Sequence, residues 1–260
     1  YDYTNGLTAT DFADKLKPNT KLLYIESPSN PMLEIVNFKA VVELARKHNV
    51  LVVIDSTMGS PVNQLPAEHG VDVIIHSATK YMSGHSDILA GTVACSAKLR
   101  DKIAKRAKML GGSLSDLTVW LLDRSIKTMG LRVTAQNNNA LAMASWLEQQ
   151  PKISRVHYPG LKSHPDHELA HAQMCGFGGV VSFELDQGIS AISFLNKLKL
   201  IKRATSFAGV ESTALIPALT SHALLTPEQR ATLGISDQLI RFSVGIETTE
   251  DLQNDIAQAL

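Results

Sequence analysis

Residues 71–87 read VDVIIHSATKYMSGHSD, and this stretch decides the interpretation of the whole chain. Its first five residues are apolar except for Asp72, a pattern typical of a strand buried in a parallel sheet. The strand leads at once to two hydroxyl side chains, Ser77 and Thr79, and to Lys80. Because a lysine is costly to remove from water, its position directly after a buried strand indicates a chemical role.

The segments on either side alternate between strand-like and helix-like patterns. Apolar, β-rich runs predict strands, and apolar residues spaced three or four apart predict helices. The predicted strands are Lys21–Ile25, Val50–Ile54, Val71–Ile75 and Ile88–Cys95, and the predicted helices are Phe38–His48 and Pro61–His69. This alternation is typical of an α/β sheet whose strands are joined by crossover helices.

The rest of the chain mixes the two patterns less regularly. The predicted helices are Leu99–Met109, Thr118–Gln150 with an interruption at Met129 and Gly130, Ile189–Leu198, and a last one from about Thr248. The predicted strands are Val156–Tyr158, Val180–Glu184 and Leu239–Val244. This mixture predicts a smaller α+β domain after roughly residue 130.

The composition argues against several classes of function. Of the 260 residues, 44% are hydrophobic, enough for a large core in one large or two unequal domains. Lys and Arg number 25, and so do Asp and Glu, so the charge does not favour nucleic acid or an anionic membrane as partner. No apolar run reaches the roughly 18 residues of a membrane span. Cys95 and Cys175 are too few for a disulfide framework, which favours a reduced, cytoplasmic setting.

Polar side chains follow three of the predicted strands where each strand ends. They are Glu26 and Asn30, then Asp55, then Ser77, Thr79 and Lys80. Ligands of parallel sheets bind beyond the carboxyl ends of the strands, so these side chains are expected to line one crevice. A buried lysine can attack a carbonyl, and an opposing carboxylate can keep a pyridine nitrogen protonated. The hydroxyls of Ser77 and Thr79 could bind a phosphate. Together these side chains match the aldehyde, the ring nitrogen and the phosphate of pyridoxal phosphate.

Each of these residues also has an ordinary structural interpretation. Lys80 alone would be a solvated loop residue, and Asp55 alone could cap the next helix. Ser77 and Thr79 alone would be loop hydroxyls. On spacing alone, the cofactor interpretation and the structural one both stay open.

The stretch HSATKYMSGHSD, residues 76–87, resembles the cofactor-lysine signature of the Cys/Met metabolism family of pyridoxal-phosphate-dependent enzymes. The segments ESPSNP, IDST, HPDHELA and GISDQLIRFSVGIE also resemble family segments, in the family's order. The resemblance implies a three-layer, mostly parallel sheet of the fold-type I transferase kind. Residues 1–130 would form the C-terminal part of the large cofactor-binding domain, and residues 131–260 a small C-terminal α+β domain.

The resemblance also implies which residues hold pyridoxal phosphate. Lys80 would form the internal aldimine and, once released by substrate, move protons at the substrate carbons. Asp55 would pair with the pyridine nitrogen, with Thr57 close to the ring. Ser77 and Thr79 would bind the phosphate.

Three further residues would meet the substrate according to the same resemblance. Asn30 matches an asparagine near both the ring hydroxyl of the cofactor and the substrate carboxylate. Arg241, in LIRFSVG, matches the arginine that clamps the α-carboxylate, a task that suits its planar fork. Ser206, in TSFAGVES, matches a serine that helps at this carboxylate. Without the resemblance, Arg241 would be interpreted as a salt-bridged strand residue.

The implied reaction is that of a carbon–sulfur lyase acting on sulfur amino acids such as methionine, cystathionine or homocysteine, by β- or γ-elimination. The alternative is γ-replacement, as in a cystathionine γ-synthase or an O-acylhomoserine sulfhydrylase. Thr205 stands where cystathionine γ-synthases and γ-lyases often carry Glu, which argues against a cystathionine-specific role and favours elimination. Two other departures are Ser56, where the family commonly has Asn, and Ala208, where many members have a glycine.

Some of the family's elements would precede Tyr1. These are a Gly-Met phosphate loop, a tyrosine stacked on the ring, and a Tyr/Arg pair lent by a neighbouring subunit. The sequence is therefore expected to lack an N-terminal segment of its family. The resemblance implies a homotetramer, a dimer of dimers with shared active sites. A non-catalytic homologue is the alternative that the missing elements leave open.

One motif indicates a different chemistry. His167, Glu168 and His171 match H-E-x-x-H, in which two histidines on one helix face bind zinc and the glutamate activates water. Pro165 suits the first turn of a helix, which predicts a short surface helix here. No further His or Glu follows until Glu184, so a third ligand is missing nearby. The sequence therefore favours a solvated helix over a zinc peptidase, and we predict no metal ligands.

Overall fold

The computed structural model describes residues 1–260 and contains two sheets with helices packed around them. The first sheet has the strand order β1 (Leu22–Glu26), β2 (Leu51–Asp55), β3 (Val73–Ser77) and β4 (Gly91–Cys95). The first three strands are parallel, and β4 pairs antiparallel with β3. The helices of this half are α1 (Ala9–Ala13), α2 (Phe38–Lys47), α3 (Ser60–Asn63), α4 (Ala97–Leu110) and α5 (Asp116–Ile126).

Helix α2 covers one face of this sheet, and its sequence explains why. Its buried residues fall on one side of the helix and are Phe38, Val41, Val42 and Ala45. The Asn37 side chain accepts a 3.0 Å hydrogen bond from the Ala40 N–H, a cap that stabilises such a helix by about 1 kcal/mol. On the other face the Leu22, Tyr24 and Leu51 side chains are exposed at the β1 edge.

The second sheet consists mainly of antiparallel pairs. Its strands are β5 (Ile153–His157), β6 (Val180–Leu185), β7 (Lys202–Arg203), β8 (Thr213–Leu215) and β9 (Leu239–Ser243), in the spatial order β5-β6-β9-β8-β7. The pair β7 and β8 is parallel and the other pairs are antiparallel. The helices are α6 (Met129–Leu147), α7 (His167–Gln173), α8 (Ala191–Lys197), α9 (Pro227–Thr232) and α10 (Thr249–Ala259).

The two halves share a core at the end of the first sheet. The largest apolar core surrounds the second sheet, and it includes Leu33, Met58 and Tyr81 from the first half. The Tyr81 hydroxyl accepts a 2.7 Å hydrogen bond from the backbone N–H of Gly179, just before β6. The carboxyl ends of β1, β2 and β3 are thereby held against the second half of the chain, and the cleft between them can hold a site.

Several predicted elements differ from the structure in their limits. The segment predicted as one helix, Pro61–His69, forms the short helix α3 and a separate 3₁₀ turn, Pro66–His69. The predicted interruption of the long helix is present, but it falls at Lys127 and Thr128, two residues before the predicted Met129 and Gly130. Methionine has a high helix propensity, and Gly130 is tolerated within the first turn. The short elements α1, β7, β8 and α9 were not predicted, because they are too short to show a period.

No helix in the structure combines the length and the apolar character needed to cross a bilayer.

Candidate active site

Two carboxylates lie side by side at the end of the first sheet. Glu26 and Asp55 are the last residues of β1 and β2, and they are paired in the parallel register. Residues paired in this way project to the same face of a sheet. Thr57 donates its hydroxyl and its backbone N–H, the latter at 3.0 Å, to Oδ1 of Asp55. Oδ2 of Asp55 makes no hydrogen bond, so it can accept one from a ligand.

Thr57 also connects this carboxylate to the next strand. Its hydroxyl oxygen accepts a 2.8 Å hydrogen bond from the backbone N–H of Ser77, at the end of β3. A single threonine therefore orients Asp55 and fixes the start of the segment that leads to Lys80. The sequence assigned Thr57 a place near the ring of a cofactor, and the structure adds this role in holding Asp55.

The adjacent carboxylate changes the proton affinity of Glu26. Burial among the strand ends and the charge of Asp55 raise the pKa of Glu26 to about 7. Solvent still reaches an exposed part of the Glu26 side chain and screens both effects, so the shift represents only a modest free energy. Burial and the same two carboxylates raise the pKa of Tyr24. This corner of the site is therefore rich in negative charge.

Lys80 lies in a tight turn after β3, residues 78–84, which we call the lysine turn. Its Nζ donates a 3.1 Å hydrogen bond to the Ser206 hydroxyl and lies 4.5 Å from the centroid of the Phe207 ring. No carboxylate pairs with the amine. Burial and the positive charge of Arg241 lower the pKa of Lys80. These surroundings favour the neutral amine, which is the nucleophilic form.

Arg241, in the middle of β9, is buried without an acidic partner. Its Nη1 donates to Oδ1 of Asn30 at 3.1 Å, and its Nη2 donates to the backbone oxygens of Thr205 at 2.7 Å and Ser206 at 3.4 Å. Burial lowers the pKa of Arg241 to about 10. The salt-bridged interpretation of Arg241 is wrong, since every acceptor is neutral. A buried guanidinium held by neutral groups is suited to receive an anion.

The two hydroxyls predicted to bind phosphate differ in their surroundings. The Ser77 hydroxyl has no hydrogen-bond partner within the chain. The Thr79 hydroxyl accepts from the Ala90 N–H at 3.0 Å and donates to the Ala90 carbonyl at 3.3 Å. Thr79 thus joins the lysine turn to the segment before β4, and only Ser77 offers an unengaged donor. The sequence could not show this difference, because it depends on how the two segments pair.

Two side chains of the site were not selected from the sequence. Phe207 lies against the Lys80 amine and also 5.2 Å from Cζ of Arg241, measured from its ring centroid. The His222 imidazole faces the backbone carbonyl of Asn30, and burial and Arg241 lower its pKa. Neither residue carries a spacing that marks a site. Only the folded chain brings them to Arg241.

The three departures from the family pattern have distinct surroundings. The Thr205 side chain is exposed, and its backbone oxygen binds Arg241. Ala208 is buried with a φ of 64°, a left-handed conformation that glycine adopts more easily. The buried Ser56 hydroxyl accepts a 2.7 Å hydrogen bond from Nε2 of Gln64.

The H-E-x-x-H motif lies on helix α7, away from these residues. The rings of His167 and His171 stack edge to face with centroids 4.4 Å apart, and Nδ1 of His167 lies 3.0 Å from the Pro159 carbonyl oxygen. No group of three His, Cys, Asp or Glu side chains is placed to hold a metal ion anywhere in the chain. The geometry gives the zinc interpretation no third ligand.

Comparison with known proteins gives one consistent result. A model of the Cys/Met metabolism PLP-dependent enzyme family matches residues 1–260. Cystathionine gamma-lyase of Bacillus subtilis is 45% identical over 246 residues, which cover 94% of this chain and 65% of that protein. The chloroplastic cystathionine gamma-synthase 1 of Arabidopsis thaliana is 48% identical over 240 residues, 92% of this chain and 43% of that protein. The chain therefore spans about two thirds or less of the length of these relatives.

Solved structures agree with these relatives. A cystathionine gamma-lyase from Lactobacillus plantarum, crystallised with L-serine, superposes with a TM-score of 0.94 at 38% identity, over 96% of this chain and 66% of that one. The predicted fold class is confirmed by this similarity, and the resemblance inferred from residues 76–87 is confirmed by the family match. The chain belongs to the Cys/Met metabolism family of PLP-dependent enzymes.

Proposed function

We propose that the protein binds pyridoxal phosphate and cleaves carbon–sulfur bonds of sulfur amino acids by β- or γ-elimination. The single observation that carries this proposal is the position of the Lys80 amine. The amine is half-buried, is held by one hydroxyl and faces Arg241 with no acid beside it. A lysine stays in such surroundings at a cost in stability, and a covalent partner for its amine explains why it is there.

The chain's own residues fit this cofactor. Three groups match three parts of the molecule: the Lys80 amine matches the aldehyde, the free Oδ2 of Asp55 matches the ring nitrogen, and the free Ser77 hydroxyl matches the phosphate. Thr57 holds Asp55 and Ser77 in fixed relation through its hydroxyl. Thr79 can contribute only if its hydroxyl leaves the Ala90 carbonyl, so we propose Ser77 as the main phosphate donor in this segment.

When bound, pyridoxal phosphate supplies an electron-withdrawing ring that weakens the bonds at the substrate Cα. The protein then has to orient the substrate and move protons. We propose that Arg241 and Asn30 hold the α-carboxylate, which is supported by the neutral oxygens to which the guanidinium donates and which a carboxylate can replace. Asp55 would hold a proton on the ring nitrogen through its free Oδ2. The Lys80 amine, whose pKa is lowered by burial and by Arg241, would accept the proton from Cα and return it to the departing side chain.

The competing proposal is γ-replacement, in which a thiol completes the reaction. The names of similar proteins include both a lyase and a synthase at nearly equal identity. Thr205 is uncharged, whereas cystathionine γ-synthases and γ-lyases often carry a glutamate at this position. This difference favours elimination. Incubation with methionine, cystathionine and O-acylhomoserines, the last with and without cysteine as the incoming thiol, separates the two. Release of 2-oxobutanoate or pyruvate supports elimination, whereas thioether products without keto acid support replacement.

Absorbance and mass spectrometry test the proposed cofactor. Mixed with pyridoxal phosphate, the protein is expected to develop a visible band that borohydride removes, leaving the cofactor's mass on the peptide containing Lys80. Lys80→Ala abolishes both signals, while the control Lys102→Ala, on exposed helix α4, keeps them. Equal labelling of Lys80→Ala, or no band in the unmodified protein, contradicts the proposal and supports a non-catalytic homologue.

We also propose a domain division, an oligomeric state and a cellular location for the protein. Residues 1–130 would be the C-terminal part of a large cofactor-binding domain and residues 131–260 a small domain, which is supported by their separate sheets.

Self-association, as a homotetramer, is supported by large apolar side chains exposed on α4 and α5, namely Met109, Leu110, Leu117 and Trp120. Sedimentation equilibrium tests this, and a monomer at micromolar concentration contradicts it. We propose a cytoplasmic location, which is supported by the two free cysteines and is tested by cell fractionation.

A further inference from the structure

Arg132, in the first turn of helix α6, is a buried arginine outside the residues described above. Only 6% of its surface is exposed, and its guanidinium donates to four oxygens. Nη1 donates to the Tyr81 carbonyl at 2.9 Å, and Nη2 donates to the Met82 carbonyl at 3.2 Å. Nη2 also donates to the Ser125 carbonyl at 2.9 Å, and Nε donates to the Thr128 hydroxyl at 3.2 Å.

None of these partners is an acid. Arg132 takes part in no ion pair, and burial lowers its pKa. A buried cation without a counter-charge is normally selected against, because its desolvation is repaid only by good hydrogen-bond geometry. The geometry here is of that kind: a planar fork reaches two successive carbonyls of one turn. The two carbonyls belong to the residues directly after Lys80.

Gly84 shows how closely the fork is seated against the same turn. Gly84 has a φ of 70°, and a Cβ built on it would lie 1.8 Å from Nη1 of Arg132. A side chain at this position therefore meets the guanidinium, and the left-handed backbone adds strain for any residue but glycine. The glycine of the signature stretch is explained by its contact with Arg132.

The lysine turn has other contacts, but none of them reaches the carbonyls at positions 81 and 82: Thr79 pairs with Ala90, and the buried Tyr81 hydroxyl accepts from the Gly179 N–H. Within it, the Ser83 N–H donates to the Ala78 carbonyl at 2.9 Å, and the Gly84 N–H donates to the Lys80 carbonyl at 2.7 Å. Outside it, the Gly84 carbonyl accepts from the Val210 N–H at 2.9 Å. The remaining polar support of the carbonyls at positions 81 and 82 comes from Arg132. Loss of the fork would leave the two carbonyls in the middle of the turn, directly after the reactive lysine, without a partner.

We propose that Arg132 is a positioning residue for Lys80: its guanidinium clamps the lysine turn so that the amine stays beside Ser206 and Arg241. This inference deepens the proposed function and rests on it for its catalytic meaning. The groups that face the amine are the Ser206 hydroxyl, the Phe207 ring and the charged Arg241. A clamped amine keeps the lowered pKa that burial and Arg241 give it, and a freed amine reaches water and regains a higher pKa.

Arg132→Lys is the test variant, because it keeps the charge but cannot reach two carbonyls and a helix end at once. Gly84→Ala is the second variant, since it displaces the fork from the opposite side. The matched control is Arg46→Lys, which removes another fork, from Arg46 to Asp72 and the Gly70 carbonyl. Ile256→Val, a buried change on α10, serves as a control for stability loss alone.

Two measurements need no cofactor. The first is the pKa of the Lys80 amine, from the pH dependence of its reductive methylation followed by mass spectrometry. The second is hydrogen exchange at the Ser83 and Gly84 amides. We expect both test variants to raise the pKa of Lys80 toward its ordinary value and to speed exchange of the two amides by about tenfold or more. The two controls should leave both quantities unchanged.

The outcomes separate this inference from the proposed function. If Arg132→Lys melts earlier but keeps the amine pKa and the amide exchange of the unmodified protein, Arg132 has only a structural role and the inference is overturned. If the pKa and the exchange change as expected while the unmodified protein never takes pyridoxal phosphate onto Lys80, the clamp stands and the proposed function fails. If Arg132→Lys does not fold, Gly84→Ala decides by the same two readouts.

Discussion

The charged residues of the site form two groups of opposite sign that do not touch. The acid cluster, Glu26 and Asp55, lies on adjacent strands of one sheet. The cation cluster, Lys80 and Arg241, combines a turn of the first half with a strand of the second half. None of the ion pairs in the structure joins the two clusters. Each cluster therefore contains charges of one sign, and neither cluster neutralises the other.

The directions of the pKa shifts show what this separation does. The pKa of Glu26 is raised, with Asp55 as the second cause after burial, and the pKa of Lys80 is lowered, with Arg241 as the second cause. Contact between the clusters would shift both pKa values the opposite way. The cleft therefore favours a ligand that offers a positive group to the acids and a negative group to the cations. A protonated ring nitrogen and an amino-acid carboxylate are such groups.

Asp55→Asn is expected to have the largest effect, since it removes the charge of the acid cluster but keeps the acceptor that Thr57 binds. Turnover should fall by about 10²- to 10⁴-fold, the range for losing a positioned proton-holding group. Thermal unfolding should change little, because the amide oxygen can still accept both hydrogen bonds. Steady-state kinetics with the best substrate measures the loss. Full turnover in this variant would show that the ring nitrogen needs no carboxylate at this position.

Glu26→Gln tests the electrostatics of the same cluster through stability. The folded-state pKa of Glu26 is about 7 against an ordinary 4.5, so ionising it costs the folded state more than the unfolded one. Its contribution to stability is full below about pH 4.5 and is lost as the pH rises through about 7. The variant escapes that loss and should gain about 0.5 kcal/mol relative to the parent between pH 5 and pH 8, a small value because solvent screens the exposed side chain.

Urea unfolding at both pH values measures this difference. Glu43→Gln, on the exposed side of α2, is the matched control and should show no such pH-dependent gain. The same gain in both variants would mean that folding does not raise the pKa of Glu26.

Phe207→Leu tests the surroundings of the amine in the cation cluster. The ring stabilises the protonated amine through its electron-rich face, which is worth about 0.5–1 kcal/mol at a partly exposed site. Its loss should therefore lower the pKa of Lys80 further. Phe207→Tyr keeps a ring and should keep the pKa. Reductive methylation of Lys80 over a range of pH measures both, and equal values in the two variants would rule out a role of the ring.

The acid cluster is also the part of the site that the sequence predicts best. Apolar runs identified the three parallel strands, and Asp55 and Lys80 were located from the ends of two of them. Within a sheet, register follows from local patterns, so neighbours on adjacent strands can be inferred from the sequence. Only the position of Thr57 between Asp55 and Ser77 had to come from the structure.

The cation cluster could not be derived in the same way. The contact between Asn30 and Arg241 joins residues 211 positions apart, and the contact between Lys80 and Ser206 joins residues 126 apart. No periodicity predicts such pairs, and only the family resemblance suggested them. Arg132 stayed hidden for the same reason, since a charged residue in a helical segment is normally interpreted as solvated. The roles of all these residues in binding remain predictions.

Ala208→Gly is expected to have an effect as small as that of Glu26→Gln, and it concerns the loop that brings Ser206 and Phe207 to the cation cluster. The φ of Ala208 is 64°, and its N–H donates a 2.8 Å hydrogen bond to the Ser243 hydroxyl, which holds it there. A left-handed non-glycine residue costs about 1–2 kcal/mol. Glycine relieves this cost but gives the unfolded chain more freedom, so a net gain of about 0.5 kcal/mol in the free energy of unfolding is expected.

Urea unfolding measures the gain. Ala218→Gly, also buried but not at positive φ, is a control that should lose stability. A loss in Ala208→Gly equal to that of the control would mean that the backbone at Ala208 is unstrained, and that the loop carrying Ser206 needs no glycine to reach Lys80.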